Sequence, residues 1–369
     1  MRQKAHTVLA VIALAILATL TAGVGTSAAK APASFYGVVP QTSLDSSDLE
    51  RMGEGKVGSL RTVITWAVID QTSAADDNDW SSVDPLVLEA ARNGIDMQPF
   101  IFGTPKWVAK GLDGFSCTTS KCGLYAPKSK AALDAFKAFV GDAVDRYGPN
   151  GEFWTLHPEV PEDPIRVWQI LNEQNSESFY QPKPSPKGYA KVLAAANEAI
   201  DSRDPAADVV LGGMPELAGS HKAIRGSEYL EQLYGVSGVE DSFDAVAPHP
   251  YGATIGKVSA QIELYRKVMK SAGDSGAAMY VTEVGAGSAS GGSSLNRGTQ
   301  GQATLLSQIY KYFAKQRNKF NVEAVDWFSW MDSKSSICSW CSSSGLLTTK
   351  AKAKPSFKAF TKLTGGSAG

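Results

Sequence analysis

The sequence carries almost no net charge, since 36 basic and 37 acidic residues leave a formal charge of −1. This balance argues against nucleic acid or an anionic membrane surface as a partner, because both attract strongly basic proteins. The chain also lacks an internal repeat with a period of about 20 to 50 residues, which excludes a solenoid. A neutral small molecule or polymer is therefore the favoured partner.

Apolar runs long enough to span a membrane are also missing. The apolar stretch at residues 8–20 is shorter than the roughly 20 residues that a membrane-spanning helix needs. It follows the basic residues Arg2 and Lys4 and precedes small residues at 27–29, so residues 1–29 are predicted to be a secretory signal peptide. The mature chain, residues 30–369, is then secreted to the extracellular space without a membrane anchor; an uncleaved anchor is the alternative.

Cysteine is scarce, and its four residues fall into two close pairs. Cys117 lies near Cys122, and Cys338 lies near Cys341. In an exported protein this spacing predicts two local disulfides. A zinc site is the alternative, but neither pair stands in a zinc knuckle, and the flanking serines and threonines are typical of exposed loops.

Short apolar runs alternate with amphipathic segments along the mature chain. The runs predict strands, and the segments show the spacing and terminal residues of helices. The predicted strands are 34–39, 57–64, 95–102, 167–171, 209–211, 245–247, 279–282 and 324–330. The predicted helices are 45–51, 80–93, 130–147, 188–202, 227–234, 259–271, 300–316 and 356–363.

Eight strand-and-helix units predict a single α/β domain, a (β/α)8 TIM barrel with its helices outside a closed parallel sheet. A doubly wound open sheet is the alternative. It is disfavoured because no glycine-rich phosphate turn follows the first strand and because candidate polar residues follow many strands instead of one switch point. Long loops after strands three, four, seven and eight are expected to wall a cleft; they are residues 103–129, 174–187, 285–299 and 332–349.

Two predicted strands end in a glutamate. The apolar run that begins at Val167 ends in Asn172 and Glu173, and the run that begins at Ala278 ends in Glu283. The carboxyl ends of barrel strands converge on the open mouth where such folds carry their chemistry. Two carboxylates at that mouth are the groups that cleavage of a glycosidic bond requires.

The ordered motifs resemble those of glycoside hydrolase clan A, the retaining (β/α)8 glycosidases, and most closely those of families 39 and 5. The resemblance covers the whole mature chain. It rests on Leu60-Arg61 with Trp66, Gly103-Thr104-Pro105-Lys106-Trp107, Asn172-Glu173-Gln174-Asn175, His249-Pro250-Tyr251, Glu283, and Trp327-Phe328-Ser329-Trp330.

The resemblance implies a catalytic role for both glutamates, with Glu173 as acid/base and Glu283 as nucleophile. It also implies that Arg61 holds Glu283 ionised by charge and hydrogen bonding; a barrel-end ion pair without a catalytic role is the alternative. Asn172 resembles the amide that binds the sugar 2-hydroxyl group, a contact that strengthens in the transition state.

The resemblance also implies roles for two residues after strand six. Tyr251 resembles the phenol that donates to the nucleophile, and His249 resembles the polar residue that lines the same pocket. A single histidine is more often structural, so the expectation for His249 depends on the family pattern.

Aromatic side chains are expected to contact the apolar faces of sugar rings. Trp330 is the first choice for the floor of the subsite at the cleaved bond, and the predicted walls are Trp66, Trp107, Phe179 and Tyr180. Because neighbouring strand residues face opposite ways, at most one of Trp327 and Trp330 should point into the mouth.

The sequence therefore predicts a secreted retaining β-glycosidase that hydrolyses a poly- or oligosaccharide as a monomer, without a cofactor or metal. A barrel that binds carbohydrate without turnover and a transglycosylase are the alternatives. Glu177 and Glu216 are reserve carboxylates. The acidic run Asp76, Asp77 and Asp79 is interpreted as a polar turn because it lacks the ligand spacing of a calcium loop.

Overall fold

The computed structural model describes residues 31–72, 78–216, 222–334 and 338–369. Eight strand positions, several divided into two short segments, follow one another along these ranges. They are β1 (Tyr36–Val39), β2 (Ser59–Leu60 and Val63–Thr65), β3 (Asp96–Met97 and Phe100–Phe102), β4 (Val167–Ile170), β5 (Asp208–Leu211 and Met214–Pro215), β6 (Ala245–Val246 and Pro248–His249), β7 (Ala278–Val284) and β8 (Val322–Phe328). The predicted signal peptide lies outside the described residues.

Every strand pairs in parallel with its neighbour in the chain, and β8 pairs with β1, as in the register of Val39 with Phe328. The sheet is therefore closed into a barrel, and the predicted fold is confirmed. The structure ends the eighth strand at Phe328, two residues before the predicted end at Trp330.

Eight helices of nine residues or more follow the eight strands and pack outside the barrel. They are α1 (Ser46–Glu54), α2 (Asp84–Arg92), α3 (Lys130–Tyr147), α4 (Pro186–Asp201), α5 (Gly226–Tyr234), α6 (Ile255–Ser271), α7 (Gly298–Phe320) and α8 (Pro355–Thr364). Side chains at four N-termini accept backbone N–H groups that the first turn leaves unpaired, namely Asp45, Ser129, Ser185 and Thr254. Within the described ranges, no helix combines the length and apolarity needed to cross a bilayer.

Two separate packed regions stabilise the barrel. The larger lies between the sheet and the helices, whereas the smaller fills the barrel interior with mainly small apolar side chains, namely Val210, Ala245, Ala247, Tyr280 and Ala324. Asp326 also points inward, and burial raises its pKa to about 8. A Cβ atom on Gly37 would lie 1.8 Å from Oδ1 of Asp326, so a side chain at this position of β1 would displace that carboxylate.

The loops at the carboxyl ends of the strands are joined to one another. The loop after β3 meets the loop after β4 through a bridge between Tyr125 and Gln181. The loop after β4 meets the loop after β5 through a bridge between Ser176 and Ala223. These contacts build one side of the mouth as a connected wall.

Both predicted disulfides are confirmed. Cys117 is bonded to Cys122 in the loop after β3, and Cys338 is bonded to Cys341 in the loop after β8. All four cysteines of the chain are therefore paired.

Candidate active site

Asn172 and Glu173 lie immediately beyond β4, where the backbone turns sharply. Leu171 and Glu173 both have left-handed backbones, with φ of 62° and 46°. Such conformations cost about 1 to 3 kcal/mol each in residues other than glycine and persist where surrounding contacts enforce them, often at functional sites. One such contact is the hydrogen bond from the backbone N–H of Glu173 to the carbonyl of Gly213. The turn directs the Glu173 side chain into the mouth.

Glu283 lies near the end of β7, where the register with β8 shifts between Val281 and Val284. The irregularity changes the direction of the side chains, so Thr282 and Glu283 both contribute to the polar centre of the mouth. Glu283 is 8% exposed, so its charge depends on neighbouring groups.

Arg61, which follows the first segment of β2, donates hydrogen bonds to the side chains of Glu283, Asn172 and Gln169. Its Nη1 lies 2.7 Å from Oε1 of Glu283, its Nη2 lies 2.7 Å from Oδ1 of Asn172, and its Nε lies 2.6 Å from Oε1 of Gln169. The guanidinium carbon lies 4.4 Å from the centroid of the Phe100 ring. A fully buried cation with this fixed fork of donors orients both amides and the carboxylate together.

The hydroxyl group of Tyr251 donates to Oε2 of Glu283 over 2.5 Å. Burial acts to raise the pKa of Glu283, but electrostatic interactions with His249 and Arg61, together with hydrogen bonds from Tyr251 and Arg61, hold that pKa below its ordinary value. Burial, together with the two nearby carboxylates, raises the pKa of Tyr251 well above its ordinary value. The phenol therefore stays protonated and keeps donating.

His249 lies between the two glutamates. Its Nδ1 lies 3.0 Å from Oε1 of Glu173 and 3.8 Å from Oε2 of Glu283, and its Nε2 lies 3.0 Å from Oγ1 of Thr282. The imidazole is fully buried. It thus contacts the side chains on both sides of the mouth.

Ligand atoms of Glu173, His249 and Glu283 lie within 4.8 Å of one another, the one such trio in the described part of the chain. Three such groups could hold a metal ion. Arg61, however, already places a positive charge 2.7 Å from Glu283, which disfavours a cation at the same place. The absence of a metal and of a cofactor stays a prediction.

Two of the aromatic residues predicted from sequence do not line the mouth. Trp330 is 0% exposed, donates its indole N–H to Asp48 at the start of α1, and packs edge-on against Phe357. Its prediction as the subsite floor is therefore wrong, because the strand ends before it and the chain leads it outside the barrel. Trp66 is 1% exposed and stacks on Phe139 of α3, so it is core and not a wall.

The other predicted aromatic residues have mixed environments. Trp107 is half-buried and donates its indole N–H to the carbonyl of Asp70. Phe179 is half-buried beside Phe102, whereas Tyr180 is buried. Trp107 and Phe179 remain candidate walls.

Phe328 and Trp340 are aromatic residues that the sequence reasoning did not select. Phe328 is the last residue of β8 and is half-buried. Trp340, inside the ring closed by Cys338 and Cys341, packs edge-on against both Phe328 and Tyr251, with centroids 5.9 and 5.0 Å away. Residues two apart on a strand share a face, so Phe328 lies on the same inward face of β8 as Asp326. This alternation was the signal that could have identified Phe328.

Hydrogen bonds involve the reserve residues Glu216 and Glu177 in loop structure. Glu216 accepts from the backbone N–H of Ser227 in the first turn of α5. The backbone N–H of Glu177 donates to the carbonyl of Lys222 across two loops. Asp79 accepts from the backbone N–H of Ser81, whereas Asp76 and Asp77 lie outside the described residues.

Several solved structures share this fold. A family 39 glycoside hydrolase from Bacteroides cellulosilyticus superposes with a TM-score of 0.66 and 16% identity over 90% of this chain and 64% of its own. A monomeric β-xylosidase from Caulobacter crescentus superposes with a TM-score of 0.64 and 18% identity, over 91% of this chain and 69% of its own. An intracellular xylanase from Thermoanaerobacterium saccharolyticum superposes with a TM-score of 0.57 and 16% identity, over 89% of this chain and 98% of its own.

These likenesses establish the fold of the chain, a TIM barrel that glycoside hydrolases also have. The chain spans just under two thirds of the length of the family 39 structure. No family model matches the sequence, and no curated protein matches it. The assignment of an activity therefore depends on the residues at the mouth.

Proposed function

We propose that this chain is a secreted retaining β-glycosidase that hydrolyses O-glycosidic bonds of an oligo- or polysaccharide by double displacement. The observation that carries the proposal is that one carboxylate oxygen of Glu173 lies within 4.8 Å of one carboxylate oxygen of Glu283. Retaining glycosidases hold their two carboxyl groups about 5 to 5.5 Å apart, whereas inverting enzymes leave about 6.5 to 9.5 Å for a water molecule. The short separation supports retention.

The surroundings of the two glutamates support distinct roles. Glu283, held ionised by Arg61 and Tyr251, attacks the anomeric carbon while Glu173 gives its proton to the departing oxygen. The glycosyl ester on Glu283 is then hydrolysed by a water molecule that Glu173 deprotonates. Arg61 holds Oδ1 of Asn172, which leaves the Nδ2 group of that amide to donate to the sugar 2-hydroxyl group.

The substrate class follows from the same mouth. Phe328 and Tyr251 present rings, and a sugar offers apolar C–H faces to such surfaces. Solved structures with this fold are titled as a β-xylosidase, a xylanase and an exo-β-1,4-mannosidase, so β-xylosides and β-mannosides are the first substrates to try. Secretion is supported by the two disulfides and the leader pattern, and we propose a monomer.

The test is to incubate the purified chain with a panel of aryl β-glycosides and polysaccharides and to follow the products by NMR. The proposal expects the β-anomer of the released sugar to appear first. An α-anomer as first product would contradict retention. Sugar binding without turnover would support a silent carbohydrate-binding barrel, and products that lengthen when an acceptor sugar is added would support a transglycosylase.

A further inference from the structure

Four buried polar side chains connect the two sides of the candidate active site. Arg61, Gln169, Thr282 and His249 come from four different strand positions, and none is more than 3% exposed. Consecutive members are joined by contacts of 2.6, 3.4 and 3.0 Å. The last member, His249, reaches Glu173 over 3.0 Å. An unbroken polar path therefore leads from the cation at Glu283 to the other glutamate.

The first link of this path fixes the orientation of an amide. A guanidinium group can only donate hydrogen bonds, so the atom of Gln169 that faces Nε of Arg61 is its oxygen. The Nε2 group of Gln169 must then face the other way, where it lies 3.1 Å from the carbonyl of Leu211 and 3.4 Å from Oγ1 of Thr282. Gln169 therefore acts as a donor toward Thr282.

The next link favours one tautomer of His249. Because Oγ1 of Thr282 accepts from Gln169, its single hydroxyl hydrogen is available for Nε2 of His249, 3.0 Å away. A neutral imidazole whose Nε2 accepts carries its hydrogen on Nδ1. That Nδ1 then donates to Oε1 of Glu173, so every hydrogen bond of the path has the same direction.

We propose that Gln169 and Thr282 are positioning residues that hold neutral His249 in its Nδ1–H tautomer, and that this tautomer assigns the two oxygens of Glu173 to different tasks. Oε1 permanently accepts from His249, which leaves Oε2 to carry the catalytic proton. This inference rests on the proposed glycosidase function. In the first step the proton moves from Oε2 to the departing glycosidic oxygen, and in the second step a proton from water returns to Oε2, while His249 keeps its own proton throughout.

The opposite tautomer makes a different prediction. With the hydrogen on Nε2, His249 would donate to Thr282, and its Nδ1 would accept the proton of Glu173 itself. The acid proton would then be directed into the protein and away from the substrate. The two tautomers are distinguishable without any measurement of activity.

The first experiment reads the tautomer directly. The full chain is labelled with ¹⁵N-histidine, long-range ¹H–¹⁵N correlations are recorded at a pH where the ring is neutral, and the His249 signals are assigned from their loss in His249→Asn. Wild type and Thr282→Ser, which keeps the hydroxyl group, should show hydrogen on Nδ1. Thr282→Val should shift the population to Nε2–H, because the donor to Nε2 is gone. Nε2–H in wild type, or no shift in folded Thr282→Val, would overturn the proposal.

A second variant tests the path by different chemistry. The carboxylate introduced by Gln169→Glu still accepts from Arg61 but cannot donate to Thr282, and it competes for the Thr282 hydroxyl hydrogen. This variant should also shift His249 toward Nε2–H. An unchanged tautomer in the folded variant would remove Gln169 from the path.

The kinetic experiment compares substrates whose leaving groups differ in their need for a proton. With Thr282→Val, kcat/KM should fall by about 10²-fold for an alkyl or phenyl β-glycoside but change little for a dinitrophenyl β-glycoside. Thr282→Ser should behave as wild type with both. Equal losses with both substrates would indicate a structural role and contradict the proposal. If wild type cleaves neither substrate, the proposed function fails, while the NMR result still decides the tautomer.

Discussion

Gly213 lies so close to His249 that a Cβ atom at position 213 would fall 1.9 Å from Nε2 of the imidazole. The same glycine accepts the backbone N–H of Glu173 through its carbonyl. A residue without a side chain between the two segments of β5 therefore allows His249 to lie between the two glutamates.

Gly213→Ala is predicted to displace the imidazole and to lower kcat by about 10²-fold, because displacements near 1 Å are enough to cost that much. Steady-state kinetics on an aryl β-glycoside and circular dichroism check this prediction. Gly276→Ala is the control, because a Cβ atom there meets nothing within 4 Å. Equal activity of Gly213→Ala and wild type would show that His249 need not occupy its present position.

The pH dependence should reveal the hydrogen bond from Tyr251 to Glu283. This bond helps to lower the pKa of Glu283, and the nucleophile works only when it is ionised. Tyr251→Phe should therefore raise that pKa and move the acidic limb of kcat/KM to higher pH. Loss of a hydrogen bond to a charged group costs about 1.5 to 3 kcal/mol, so kcat/KM at its optimum should fall by about 10- to 100-fold.

The measurement is the pH profile of kcat/KM for wild type and Tyr251→Phe with the same substrate. Tyr234→Phe is a control that removes a phenol bonded to Asp274 at the outside of the barrel, and it should leave the acidic limb in place. A limb that moves to lower pH in Tyr251→Phe would contradict the assignment of Glu283.

The fold could be predicted from the sequence because a (β/α)8 barrel needs apolar strands separated by amphipathic helices. The alternation of short apolar runs and amphipathic segments shows this directly. The helix predicted at 130–147 coincides with Lys130–Tyr147, since Ser129 marks its start and Tyr147 its last buried position. The glutamates were recognisable because each lies near or just beyond the carboxyl end of a strand.

The aromatic residues could not be predicted in the same way. A motif with Trp327, Phe328 and Trp330 does not show where the strand stops. Because the strand was predicted to end two residues too late, Trp330 was selected and Phe328 was not. Trp340 approaches Tyr251 only through the folding of a long loop, which no local pattern encodes. Gly213 has no side chain, so its closeness to His249 is visible only in three dimensions.

Two substitutions should separate the roles of the aromatic residues at the end of β8. Trp330→Phe should lower the free energy of unfolding by about 2 kcal/mol, because it loses the bond to Asp48 and core volume, and it should leave KM unchanged. Phe328→Leu should raise KM by about tenfold because a ring that packs on the sugar is lost. Thermal denaturation and steady-state kinetics check both. If KM rose in Trp330→Phe and stayed unchanged in Phe328→Leu, Trp330 would be restored as the subsite floor.

The two disulfides offer a matched pair of variants. Replacing Cys338 and Cys341 by serine should release Trp340 from Tyr251 and lower kcat on a small aryl β-glycoside. Replacing Cys117 and Cys122 by serine should leave that kcat unchanged, because this disulfide lies in the loop after β3 and does not close the ring that holds Trp340. Equal kcat values for the two double variants would show that the Trp340 contact has no role in catalysis.

The assignment of the two glutamates is tested most directly by azide rescue of Glu173→Ala and Glu283→Ala with a dinitrophenyl β-glycoside. Glu173→Ala should form the glycosyl ester, stall for want of a base, and give the β-glycosyl azide when azide attacks the ester. Glu283→Ala forms no ester, so azide should enter from the vacated side and give the α-glycosyl azide. NMR of the products decides the outcome. The β-azide from Glu173→Ala and the α-azide from Glu283→Ala are predicted. Exchanged anomers would contradict the assignment of the two glutamates, and failure of azide to rescue either variant, when the wild type is active, would contradict the double displacement proposed here.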